Sequence, residues 1–226
     1  MSISKNVILV IVEGISDEIS LGSLQQYVND NTMKFHICHG DITSSKRANP
    51  QNLITQINDI INETLKRYRY KIKDIKEIIH IVDTDGVFIE DKLIIQDENH
   101  SNFYYSEDNI KCKCTQDAIN RNISKRQNLQ KLISTHSIRN IPYMVYFMSC
   151  NLEHVLRGDQ NLTDSQKEEK SNDFANLCDA TPGYLLKIIN KYAVSGDYQS
   201  SWKFIQQDSN SLKRYTNLPL FFQSKE

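Results

Sequence analysis

Residues 7–12 (VILVIV) form an unbroken apolar run that stops at Glu13-Gly14. A run of Val and Ile this short predicts a strand buried on both faces. Gly14 allows a sharp turn, and Ser16 and Asp17 suit the cap of a following helix. Residues 16–30 carry Ile19, Leu21, Leu24 and Tyr27 on one helical stripe, and 33–38 read as a second strand. After a polar loop, Pro50 fits the first turn of a helix reaching about residue 68, with Leu53, Ile54, Ile57, Ile60, Ile61 and Leu65 at helical spacing. A third apolar strand, 75–82, ends in Asp83-Thr84-Asp85-Gly86. The order so far is βαβαβ, the doubly wound pattern of an α/β fold with a mostly parallel central sheet flanked by helices.

The rhythm then breaks. Residues 87–114 read as short strands or hairpin pieces around a polar centre at 96–102, an insertion after the third strand. Helix returns at 115–134, and YMVYFM (143–148) predicts a fourth buried strand. Helical stretches follow at 152–156, 163–179, 182–192 and 198–214. Leu218, Leu220, Phe221 and Phe222 are expected to dock the tail. The predicted organisation is an α/β domain over 1–157 with its insertion at about 87–114, then a helical C-terminal extension over 158–226.

Composition narrows the class. At 226 residues the chain can bury a full core. A net charge of −1 announces no general affinity for nucleic acid, so any such surface must be local. No apolar run approaches the roughly 18 residues that span a bilayer, so no membrane partner is expected. The start, MSISKN, has no signal-peptide pattern, and five cysteines without regular spacing fit a reducing cytoplasm. There is no G-x-x-x-x-G-K-[ST], so no P-loop ATPase lies in this sequence.

Glu13, Asp83 and Asp85 are the leading catalytic candidates. Ligands bind at the carboxyl ends of strands in such sheets, and the two strands are expected to deliver these carboxylates to one rim. Hard oxygen ligands suit Mg²⁺, with Mn²⁺ as substitute, which activates water and stabilises a leaving oxygen in phosphodiester chemistry. The competing reading is ordinary polar residues at strand-to-helix turns. Asp41 also follows a strand, as a metal ligand or a loop cap. Arg121 and Lys125 on the 115–134 helix are candidates for phosphate contact, against a plain solvated face; Lys203 beside Trp202 is a weaker one. His36, Cys38, His39, Cys112 and Cys114 lack zinc spacing, and His36 and Cys38 are expected to pack. Cys150 with His154 lacks a third group to orient a nucleophilic pair.

The motifs VIVEGISD and IVDTDG, in that order at strand ends, resemble the TOPRIM domain of topoisomerases, bacterial primases, OLD-family nucleases and small-RNA-maturing ribonucleases. The resemblance covers roughly residues 7–151. It implies that Glu13, Asp83 and Asp85 hold the metal and that Glu13 serves as general acid or base. By the same resemblance Asp17 either caps its helix or points at the metal, as its counterpart does in OLD-like nucleases. Glu153, in SCNLEHVL, looks like the acidic motif that lies near the metal site after the last strand in TOPRIM proteins of phage-defence operons; the competing reading is a surface helix position. The implied activity is a Mg²⁺-dependent nuclease acting on DNA or RNA, a phage-defence effector working with a separate ATPase. The alternatives are a non-catalytic regulatory or binding module with a TOPRIM-like site, and a nucleotidyl-transfer enzyme using the same metal.

Overall fold

The computed structural model describes residues 6–27, 33–40, 42–44 and 48–224. It is an α/β protein whose main sheet has five strands: β1 (Asn6–Val12), β2 (Met33–His39), β3 (Ile75–Asp83), β7 (Ser137–Ile138) and β8 (Ile141–Met148), in the order β2-β1-β3-β8-β7. β1 pairs in parallel with both β2 and β3, while β7 and β8 form an antiparallel hairpin. The interior place of β1, between β2 and β3, explains its composition. Val7 to Val12 are each at most 1% exposed, so neither face has use for a polar residue.

The chain forms two compact units and passes between them repeatedly. The first comprises Met1–Ile81, Gln127–Val145 and Glu168–Gly183; the second comprises Val82–Arg126, Tyr146–Lys167 and Tyr184–Glu226. The expected boundary at 157/158 is not among the crossings.

In the first unit, α1 (Ile15–Ser20) is followed by a 3₁₀ segment at Gly22–Tyr27, shorter than the single helix expected to residue 30. Residues 28–30 lie outside the described part. α2 (Leu53–Tyr68) buries Leu53, Ile57, Ile61 and Thr64, one stripe at three- and four-residue spacing. Pro50 stands before this helix rather than in its first turn, because the Asn49 side chain accepts from the backbone of Gln51 and Asn52 and closes a separate turn there. Arg139 and Asn140, with φ of 55° and 63°, join β7 to β8 in the two-residue geometry that matches strand twist. Buried His80 on β3 is bonded through Nδ1 to the Tyr143 hydroxyl, 2.7 Å away.

In the second unit, the insertion builds its own three-stranded sheet from β4 (Ile94–Gln96), β5 (Tyr104–Tyr105) and β6 (Ile110–Cys112), ordered β4-β6-β5. Its core is Ile89, Ile94, Ile110, Cys112, Ala118 and Leu212. Ala118 belongs to α3 (Thr115–Ile133), which starts in this unit. The remaining helices are α4 (Leu152–Arg157), α5 (Asp164–Ala180, mostly in the first unit), α6 (Tyr184–Lys191), α7 (Tyr198–Ile205) and α8 (Pro219–Gln223). α7 stops nine residues short of the expected 214. No apolar residue follows Ile205 until Leu212, and the Asn210 amide donates to the Phe204 carbonyl to close the end. The tail docks as expected through Leu218 and Phe221, both fully buried. It is also anchored by polar groups: Thr216 donates to the Phe147 carbonyl at 2.7 Å, and Asn217 accepts from the Phe147 N–H at 2.7 Å. Among the described residues no helix is long and apolar enough to cross a membrane.

Candidate functional site

The Asp-x-Asp sequence forms a tight turn. Val87 N–H donates to the Thr84 carbonyl at 2.9 Å, and the two central residues, Asp85 and Gly86, have φ of 47° and 63°. Positive φ at both positions is the type I′ requirement, and Asp-Gly is a preferred pair for it. Gly86 is also needed for space, because an added Cβ would collide with Leu212 and press on Ile110. Thr84 fastens the turn. Its N–H donates to the Met148 carbonyl at 3.0 Å, its buried hydroxyl donates to the Ser211 carbonyl, and that hydroxyl accepts from Cys150 N–H, both at 2.9 Å. Asp85 N–H donates to the Cys150 carbonyl at 2.7 Å. The sequence pattern shows only two aspartates; these bonds fix where their carboxylates stand.

Asp85 is gripped by α3. Lys125, only 1% exposed, places Nζ 2.5 Å from Asp85 Oδ2. One turn earlier, Arg121 donates to the Asp85 carbonyl at 3.1 Å and to the Tyr105 hydroxyl at 2.8 Å, with its guanidinium 4.3 Å over the Phe103 ring. Burial pulls the Asp85 carboxyl pKa up, but the Lys125 and Arg121 cations outweigh it and hold it below its ordinary value. Burial and the Asp85 charge together push the Tyr105 phenol up. The expectation that Arg121 and Lys125 face substrate phosphates is therefore corrected for Lys125. A buried ammonium needs a counter-charge, and Asp85 is that partner. Arg121 is likewise committed to Asp85, Tyr105 and Asn122.

A cavity of about 350 Å³ opens beside the turn within the second unit. Asp83, Asp85 and Lys167 line it, together with residues 99–105, Asn151 and 160–163. Cys150, fully buried, has its thiol pushed well above its usual pKa by burial and by the charges of Asp85, Asp83 and Glu153. Three carboxylates thus act on one sulfur, and the thiol stays protonated. His154 is driven down to about 4, first by burial and then by the Arg214 charge. A neutral thiol and a neutral imidazole do not make an activated pair. Glu153, expected either near the metal site or on a surface helix position, is 1% exposed and so not on the surface. Neither of its oxygens accepts a hydrogen bond, and Lys167 Nζ lies 3.8 Å from Oε1. Lys203 is exposed on α7 and is not among the cavity's lining residues.

The other candidates belong to the first unit. Glu13, just past β1, accepts from the Thr43 hydroxyl at 2.5 Å, and the Thr43 carbonyl accepts from the Asn128 amide at 2.9 Å. Asp17 accepts from Gly14 N–H at 2.8 Å and is 6% exposed, which is the capping reading of this residue. Asp41 lies outside the described residues. His36 packs edge-on against Tyr68 at 3.7 Å between ring centroids, and burial pushes the Cys38 thiol up to about 12, so both pack as expected.

Among the described residues no group of three or more His, Cys, Asp or Glu side chains is arranged to hold one metal ion. Asp83 and Asp85 are the two carboxylate residues that line the cavity, and they are the ones that could hold Mg²⁺ there. That ion commonly takes one or two carboxylates and completes its shell with water and substrate phosphate. Sequence reasoning missed Lys167, which sits in the charged run QKEEK and reads as solvated, and Tyr105, which carries no motif signal at all. No protein-family model, no curated protein and no solved structure matches the chain.

Proposed function

We propose that this protein is a metal-dependent nuclease that hydrolyses phosphodiester bonds of DNA or RNA. The observation that carries the reading is the Asp83-Thr84-Asp85 turn, which presents two carboxylates to one cavity from a backbone fixed by hydrogen bonds on both sides. Asp83 and Asp85 would hold a Mg²⁺ ion. When bound, that ion neutralises phosphate charge and lowers the pKa of a water. Lys125 orients Asp85 and favours its charged form. Lys167, at the cavity wall, supplies a positive charge for a phosphate, and the Glu153 carboxylate stands 3.8 Å from its ammonium. Glu13 enters this reading through its sequence motif. The resemblance to TOPRIM proteins of phage-defence operons supports a role as a toxic effector, with the ATPase as a separate partner.

Two observations favour a second reading, a binding module without catalysis. Lys125 already neutralises Asp85, and no three-residue metal cluster is found among the described residues. Cleavage of single-stranded and duplex DNA and RNA decides between them. The nuclease reading expects products with Mg²⁺ or Mn²⁺ and none with EDTA. Binding without products in every metal, with or without a neighbouring ATPase, favours the module.

A further inference from the structure

We propose that the tip of the insertion is a stacking site for one unpaired nucleobase of a single-stranded nucleic acid, seated beside Asp83 and Asp85. This rests on the nuclease reading for its substrate class and goes beyond it in naming the form of the strand. Tyr104 is 42% exposed, a large aromatic surface left to solvent. The His100 ring stacks on it at 4.4 Å between centroids and 19° between planes. Both rings line the cavity that holds the two aspartates.

The platform is organised in advance. Asp97 accepts from the backbone and side chain of Asn99 at 3.0 and 2.9 Å, its carbonyl accepts from His100 N–H at 3.2 Å, and its carboxylate stands 3.6 Å from His100 Nε2. The residue that follows Tyr104 is also anchored. Asn161 accepts from Tyr105 N–H at 2.7 Å and donates to its carbonyl at 2.8 Å, occupying the open edge of β5 as a strand would. The exposed Asn102 amide, also lining the cavity, offers one acceptor and two donors suited to a base edge. Aromatic faces beside hydrogen-bonding amides are how proteins hold unpaired bases, whereas the faces of a duplex base are already covered by its neighbours.

The test compares a fluorescent deoxythymidine decamer, an abasic decamer of equal length and charge, and a duplex, by anisotropy in EDTA and in Ca²⁺. The expected result is about ten-fold tighter binding of the base-bearing single strand than of either other probe, within the usual range of one stacked base. Tyr104→Ala should erase the preference and Tyr104→Phe should keep it; Tyr104 is exposed, so both variants should fold. Equal affinity for base-bearing and abasic strands, survival of the preference in Tyr104→Ala, or no binding of any probe overturns the stacking site. Cleavage in Mg²⁺ without base preference removes this proposal and leaves the nuclease reading. Base-preferring binding without cleavage in Mg²⁺ or Mn²⁺ does the reverse.

Discussion

Two neighbouring parts of the second unit are built in opposite ways. The acidic turn at 83–87 is over-determined: Thr84 and Asp85 are tied to residues 148–150 and 211, Gly86 leaves no room for a side chain, and Asp85 is clamped by a buried lysine. The outermost part of the insertion tip, 98–102, is held by short-range bonds to Asp97, and Glu98, Asn99, Ser101 and Asn102 face solvent, with Tyr104 exposed beside them. Carboxylates that must present a fixed geometry belong on the first kind of structure. A wall that must accept different bases belongs on the second.

The sharpest way to break this contrast is to remove one partner of the buried pair. Lys125→Met leaves the Asp85 carboxylate, about 20% exposed, with the Arg121 and Lys167 charges alone and should cost about 3–4 kcal/mol in urea unfolding, the low end for breaking a buried pair. Lys125→Met with Asp85→Asn should cost less than the sum of the single changes, since neither member of the pair is left without the other. Additive losses would mean the pair is not coupled. Next in size is Gly86→Ala, which adds strain at positive φ to a collision with Leu212. It should lose about 2–4 kcal/mol, whereas Ser101→Ala at the tip should stay within about 0.5 kcal/mol. Equal melting temperatures for the two variants would erase the distinction.

The smallest effect is set by pH. His154 has a folded pKa of about 4, below its unfolded value near 6.5. The unfolded chain therefore takes up the proton first. Stability is fully present above about pH 6.5 and falls as pH drops toward 4, by on the order of 2–3 kcal/mol. Asp85, depressed as well, adds its loss only below the ordinary carboxylate range. Urea melts at pH 7, 5.5 and 4.5 should show this slope, and His154→Gln should flatten it above pH 5. An unchanged slope in that variant would assign the acid sensitivity elsewhere.

The same contrast explains how far the sequence could be read. β1 and β3 announce themselves because residues buried on both faces must be apolar, and the Asp-x-Asp turn is visible because its chemistry is contiguous. The buried face of α3 is not, since Asn122, Lys125 and Asn128, at most 1% exposed, repeat at the spacing of a solvated stripe. Their partners come from distant segments: Asp85 holds Lys125, and the Thr43 carbonyl holds Asn128. Thr216 and Asn217 escaped notice for the same reason, because they bond to the backbone of β8 instead of packing as apolar residues. The end of α7 was legible in principle, in the polar stretch 206–211.

The central claim is that Asp83 on its fixed turn serves phosphodiester cleavage. It is tested most directly by comparing the protein with its Asp83→Asn variant in a single-turnover cleavage assay in Mg²⁺, with matched unfolding curves as the control for folding. The account predicts a loss of at least about a hundred-fold in rate for the variant, from removal of a metal-holding charge, with stability unchanged within about 1 kcal/mol. Equal cleavage rates for the two proteins would contradict it.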